Sequence, residues 1–201
     1  MSNGGVAWEQ AWQQGRTGWD AGQSPPALVQ LVNSTHLKPA RALVPGCGAG
    51  YDVFTLSRIA ELTIGLDLAP TARARFMSLS EQPHIDSDKV RIEPHNFFDY
   101  TPSDHFDLIW DYTFLCAIEP HQRQAWAARM HQLLAPAGEL WTLIFPVHPE
   151  PMNPGGPPHP LTPELVRELL APYFEARQLE PVKESHDGRA GKEWIGRWTR
   201  R

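Results

Sequence analysis

The chain has 201 residues, 41% of them hydrophobic and 20% charged, which suits one domain over 1–201 with a sizeable core. A net charge of -5 weighs against nucleic acid as a partner, because duplex binding leans on clustered Lys and Arg. No apolar run approaches the ~20 residues that cross a bilayer, and two cysteines are too few for a disulfide framework or a four-ligand zinc site.

In chain order, Met1 to Gln10 carries Glu9 and lacks the apolar stretch of a leader, so a reducing cytoplasm is the expected setting. Trp8 and Trp12 stand four apart, the spacing of one helix face. Arg41 to Pro45 is a short apolar run that ends in glycines and predicts a strand. Tyr51 to Ile59 carries Val53, Phe54, Leu56 and Ile59 at helical spacing. Leu62 to Leu68 predicts the second strand, and Pro70 can open the helix that runs on through Ser80. Val90 to Glu93 alternates as a strand, and Phe106 to Asp111 is a fourth.

Pro120 to Leu134 is the clearest helix, with Trp126, Met130, Leu133 and Leu134 on one stripe and Pro136 and Gly138 expected to close it. Glu139 to Pro146 is nearly continuous in apolar character, as buried parallel strands are. Proline concentrates in 146–163, which predicts structured turns and a lid. Thr162-Pro163 caps a helix whose core face is Leu165, Val166, Leu169 and Leu170. Phe174 to Val182 and Lys192 to Thr199 are the last two strands, joined by a turn containing Gly188 and Gly191. The basic residues Arg189, Lys192, Arg197, Arg200 and Arg201 alternate there with Trp194, Ile195 and Trp198, and are read as the wet face of a strand. Alternating β and α predicts an α/β fold: a mostly parallel central sheet with helices on both faces and an antiparallel C-terminal hairpin.

The chemistry concentrates where the first strand ends, in Val44-Pro45-Gly46-Cys47-Gly48-Ala49-Gly50. Glycines between a strand and a helix let backbone approach a ligand closely, and the helix start offers free N–H groups. Asp67 ends the next strand, about the ~20 residues downstream at which a carboxylate accepts from ribose hydroxyls. Together these point to an adenosine-containing cofactor. A dinucleotide fingerprint needs Gly-x-Gly-x-x-Gly, whereas position 51 is Tyr and the spacing is Gly-x-Gly-x-Gly. With only about one nucleotide-binding unit and an antiparallel end, the pattern favours S-adenosylmethionine (SAM), which has no pyrophosphate, over NAD.

These residues carry a resemblance that runs from Trp8 to Trp198. The matches are Trp8-x3-Trp12; Gly15-Arg16-Thr17-Gly18-Trp19-Asp20; Ala42 to Gly48 with Tyr51-Asp52; Gly65-Leu66-Asp67; Phe97-Phe98; Phe106 to Tyr112; Cys116-Ala117-Ile118-Glu119-Pro120; Gly155-Gly156-Pro157-Pro158; and Gly191-Lys192-Glu193 before Gly196-Arg197-Trp198. The chain resembles class I SAM-dependent methyltransferases of the thiopurine S-methyltransferase superfamily, and within it the thiol/halide branch. The resemblance implies the Rossmann-like SAM-methyltransferase fold and a cofactor site made of Trp8, Trp12, Trp19, Gly46, Gly48, Asp67, Asn96, Phe97, Asp111 and Tyr112. Residues 1–35 would close over the cofactor, and S-adenosylhomocysteine would be the product. Two positions depart from the wider superfamily. Tyr112 stands where the thiopurine branch tends to carry Arg, and Asn96 where an Asp is common; an amide oxygen can still accept from the adenine amino group.

SAM brings an activated methyl group, so the protein mainly positions a nucleophile and excludes water. Aromatic faces attract its sulfonium without competing as nucleophiles. Thiols near their pKa of ~8.5, and halides or thiocyanate, which are already anionic, need no strong general base. Tyr112 is therefore the expected catalytic residue, shaping the acceptor pocket; Glu119 is read as a helix-start residue and Cys47 as a small turn residue. His148 and His159, flanking the proline-rich segment, are read as loop histidines. No metal is expected, since no compact Asp/Asn cluster offers a Mg²⁺ site. The expected partner is a small-molecule acceptor, with no nucleic acid and no membrane, and the expected state is a monomer. The competing readings are a small-molecule O- or N-methyltransferase, an NAD-binding oxidoreductase and a non-catalytic SAM-binding protein.

Overall fold

The computed structural model describes residues 3–148 and 156–201. The centre of the proline-rich segment, with Gly155, lies outside the described residues. The chain divides into two compact units, Met1–Thr101 and Pro102–Arg201.

The first unit runs α1 (Asn3–Gln13), α2 (Pro26–Ser34), β1 (Arg41–Pro45), α3 (Tyr51–Leu56), β2 (Leu62–Leu66), α4 (Pro70–Ser80) and β3 (Val90–Glu93). Its strands are parallel, in the order β3-β2-β1. β1 and β2 are each buried at four of five positions, which explains their unbroken apolar runs: parallel strands are covered on both faces. Pro45 pairs with Leu66, so the glycine turn and Asp67 leave the sheet at the same level. Gly65 leaves room for that turn, since a Cβ on it would fall 2.4 Å from Cys47 Sγ. The small residue expected at position 47 is therefore matched by a missing side chain opposite. Helix α2 had no counterpart in the sequence reading. Helix α1 is tied to α4 by Glu9, whose carboxylate accepts from Thr71 N (2.9 Å) and Thr71 Oγ1 (2.7 Å). These bonds satisfy free donors at the start of α4 and pull the Glu9 carboxyl below its ordinary pKa.

The second unit runs β4 (Phe106–Tyr112), α5 (Arg123–Leu133), β5 (Leu134–Ile144), α6 (Pro163–Leu170), β6 (Phe174–Pro181) and β7 (Trp194–Arg200). β4 and β5 are parallel; β7 lies antiparallel between β5 and β6, as the antiparallel end required. Thr162 Oγ1 accepts from Leu165 N at 3.1 Å, the cap read from Thr162-Pro163. Glu119 sits at the helix start as expected, its N–H donating to Gln122 Oε1 at 3.3 Å across a short 3-10 turn.

Two readings fail here. Pro136 and Gly138 do not close α5 from outside a strand; the chain passes straight into β5, which contains both. The register slips between Phe106 and Leu108, and a Cβ at Gly138 would meet Asp107 O at 2.9 Å, so these breakers sit where a strand edge is irregular. The basic run near the C-terminus is not simply a wet face. Arg197 clamps Glu139 through Nε (3.0 Å) and Nη2 (2.8 Å), and Arg189 is only 8% exposed.

Candidate functional site

In the first unit the site is built around backbone. Gly46, Gly48 and Gly50 all have positive φ, and the turn they make delivers Gly48 N to Asp67 Oδ2 at 2.9 Å. Ala69 N donates to Asp67 Oδ1 at 2.8 Å. A carboxylate has about four acceptor positions and three backbone donors already meet Asp67, so it keeps capacity for a further donor such as a ribose hydroxyl. Burial pushes the Asp67 carboxyl above its ordinary pKa, while the backbone donors of Ala69, Gly48 and Leu68 oppose that shift. Gly48 is needed for a second reason: a Cβ there would stand 3.4 Å from the Trp12 ring.

Trp12 is nearly buried and packs with Ala49, Ala69 and Ala72. Trp19 meets both Trp8 (centroids 5.0 Å, 89°) and Trp12 (5.9 Å, 82°) edge to face, a favoured ring geometry. The three tryptophans, the turn and Ala69 beside Asp67 are thus one assembly, held by the Glu9–Thr71 clamp. Arg75 adds a guanidinium over Trp12 at 5.4 Å and an ion pair to Asp20 at 3.2 Å. Asp67 N donates to Glu93 O, so the loop after β3 begins at the same level. In that loop Asn96 Oδ1 accepts from Phe98 N (3.2 Å) and its Nδ2 donates to Asp99 (3.0 Å), which shapes the turn that buries Phe97.

In the second unit the site is built from side chains. Asp111 is buried, with Oδ1 accepting from Leu115 N (3.1 Å) and Oδ2 from Trp126 Nε1 (2.8 Å). Burial raises its carboxyl to about 6. Its oxygens face protein donors, and they fix the segment that follows Tyr112. Thr113 has φ 62, a strained choice for a β-branched residue, and turns the chain sharply there.

Tyr112 donates its hydroxyl proton to Glu193 Oε1 at 2.6 Å and accepts from Arg189 Nη1. Burial and Glu193 push the phenol far above its ordinary range, so it stays protonated. Arg189 lies over the Phe145 ring at 4.8 Å, and His186 stacks on Tyr112 at 6.5 Å. His186, Arg189 and Glu193 are all under 9% exposed. Sequence reading missed all three as site residues. Gly191-Lys192-Glu193 stood among the matched motifs, yet nothing in a polar stretch signals that its charges point inward.

Neither thiol is activated toward the thiolate. Burial drives Cys47 well above its ordinary pKa and raises Cys116 to about 12. His159 is buried rather than a surface loop residue; its N–H donates to Cys116 O, and its ring stands close to where a Cβ at Gly156 would be. Among the described residues no group of three or more His, Cys, Asp or Glu could hold a metal ion.

The thiopurine S-methyltransferase profile matches residues 4–198. The chain belongs to that family. A thiocyanate methyltransferase of Brassica oleracea is 39% identical over 197 residues, covering 96% of this chain and 84% of its own. A probable thiol methyltransferase of Arabidopsis thaliana is 40% identical, covering 99% and 86%. Among solved structures, a 1,6-didemethyltoxoflavin N1-methyltransferase of Burkholderia thailandensis with bound S-adenosylhomocysteine overlays with a TM-score of 0.75 at 20% identity, covering 98% of this chain and 86% of that one. This member of the family therefore has the Rossmann-like methyltransferase fold and is a SAM-dependent methyltransferase. Asp67's remaining acceptor capacity and the Trp12-covered glycine turn fit that cofactor.

Proposed function

We propose that this enzyme methylates small soft nucleophiles: thiocyanate, hydrosulfide, thiols and halides. What carries the reading is the near-complete alignment, at about two residues in five, to enzymes named for thiocyanate and thiol methylation. The second unit supports it. Its buried Arg189 guanidinium, two aromatic rings and neutral Tyr112 hydroxyl favour a polarisable anion over a neutral phenol or amine.

The bound cofactor supplies the activated methyl group. Asp67 would hold the ribose, Gly46 and Gly48 would let backbone lie against the methionine portion, and Trp8, Trp12 and Trp19 would cover the sulfonium and exclude water. Asn96 and Phe97 would border the adenine. Tyr112 orients the acceptor and Asp111 holds Tyr112 in place. The working form is a single-domain monomer in the cytoplasm.

The test is a SAM-dependent assay over iodide, thiocyanate, hydrosulfide and small thiols, with headspace detection of methyl iodide and methanethiol, against phenols and amines. Turnover of anions and thiols is expected. Turnover of phenols or amines alone would replace this reading with O- or N-methylation.

A further inference from the structure

The connection between β6 and β7 places three ionisable side chains around Tyr112. Turn bonds from Arg189 N to His186 O and from Lys192 N to Arg189 O, both 3.0 Å, set their directions. Two atoms in this cluster stand out. His186 Nε2 and Glu193 Oε2 are buried and have no hydrogen-bond partner among the described residues, although His186 is only 7% and Glu193 1% exposed. Buried polar atoms are nearly always paired, so an unpaired acid oxygen and imidazole nitrogen beside one phenol call for an explanation.

We propose that His186 is the proton acceptor for neutral thiol acceptors, a role that anionic acceptors bypass. The inference rests on thiols being acceptors at all. In the thiol reaction the acceptor sulfur–methyl bond forms as the methyl–sulfonium bond breaks, and that bond's electron pair stays on the departing sulfur. The S–H proton passes to His186 Nε2 and then to water. Thiocyanate and halide carry no proton, so their reaction omits this transfer.

The surroundings suit the role. Burial, then the Arg189 charge, holds the imidazole below its ordinary pKa of 6.5, while the Glu193 and Asp187 carboxylates oppose that shift. The ring is therefore a neutral base at neutral pH. Once protonated, it has the Glu193 carboxylate within the same cluster as counter-charge, and the Tyr112 hydroxyl, held protonated, does not compete for the proton.

The experiment compares wild type with His186→Gln on the thiol of free cysteine and on thiocyanate, from pH 5.5 to 9. Thiol kcat/KM is expected to fall about 100-fold at pH 7 and to recover as the acceptor ionises itself, near ~8.5. The ratio of thiol to thiocyanate kcat/KM is expected to fall at least about 30-fold. Equal loss on both acceptors, or no loss on either, overturns the proposal. Wild type that turns over anions and no thiol overturns it too, while leaving the anion reading intact; wild type that methylates nothing on the panel overturns both. A second readout needs no turnover: the His186 Hε1 resonance of the free enzyme should titrate below 6.5. An imidazole still protonated at pH 7 also refutes the role.

Discussion

The Met1–Thr101 unit presents its functional surface mainly as backbone, while the Pro102–Arg201 unit presents buried side chains gathered on Tyr112. Gly46, Gly48 and Gly50 have positive φ, a Cβ on Gly48 or Gly50 would meet neighbouring rings, and the acid that completes them accepts from main-chain N–H groups. Tyr112 instead bonds both Glu193 and Arg189, which stand far from it in sequence. A backbone cradle tolerates no added atom, whereas a side-chain cluster tolerates changes of shape but not the loss of a partner.

The steepest contrast comes from Gly50→Ala. The new Cβ would fall 2.2 Å from Phe76 Cδ2 at φ 91, and overpacking with left-handed strain is expected to remove about 3–5 kcal/mol, read by urea unfolding. In the other unit, Asp111→Ala strands Leu115 N and Trp126 Nε1, for about 2–4 kcal/mol at pH 4.5. That deficit should shrink as pH rises. The folded carboxyl titrates near about 6, above its ordinary 3.8, so the folded state binds more protons between those values and wild type loses stability as pH climbs through them. A deficit that grows with pH would contradict the assigned burial.

Trp19→Ala should weaken SAM more than S-adenosylhomocysteine, by about 2–10-fold in the ratio of dissociation constants, because only SAM carries the sulfonium. An unchanged ratio would make the tryptophans packing alone. The smallest effect is on Cys47 and Cys116: native protein should resist iodoacetamide at pH 8 for hours and react promptly once unfolded, since both thiols are raised.

The same contrast explains what the sequence disclosed. Runs such as Leu62 to Leu66, and glycines that end a strand, report local constraints, so the parallel strands and the glycine turn were legible, while the Gly48–Asp67 bond emerged only from the fold. The inward aim of His186, Arg189 and Glu193 depends on a turn whose polar sequence reads as solvent-facing. Pro136 and Gly138 misled because breakers also mark an irregular strand edge.

Calorimetric titration of S-adenosylhomocysteine into wild type, Asp67→Ala and Tyr112→Phe tests the division of labour most directly. Asp67→Ala should lose at least about tenfold in affinity, since hydrogen bonding to a charged group disappears. Tyr112→Phe should bind within about threefold of wild type while losing turnover. A folded Asp67→Ala that binds like wild type, with Tyr112→Phe unable to bind, would contradict the account.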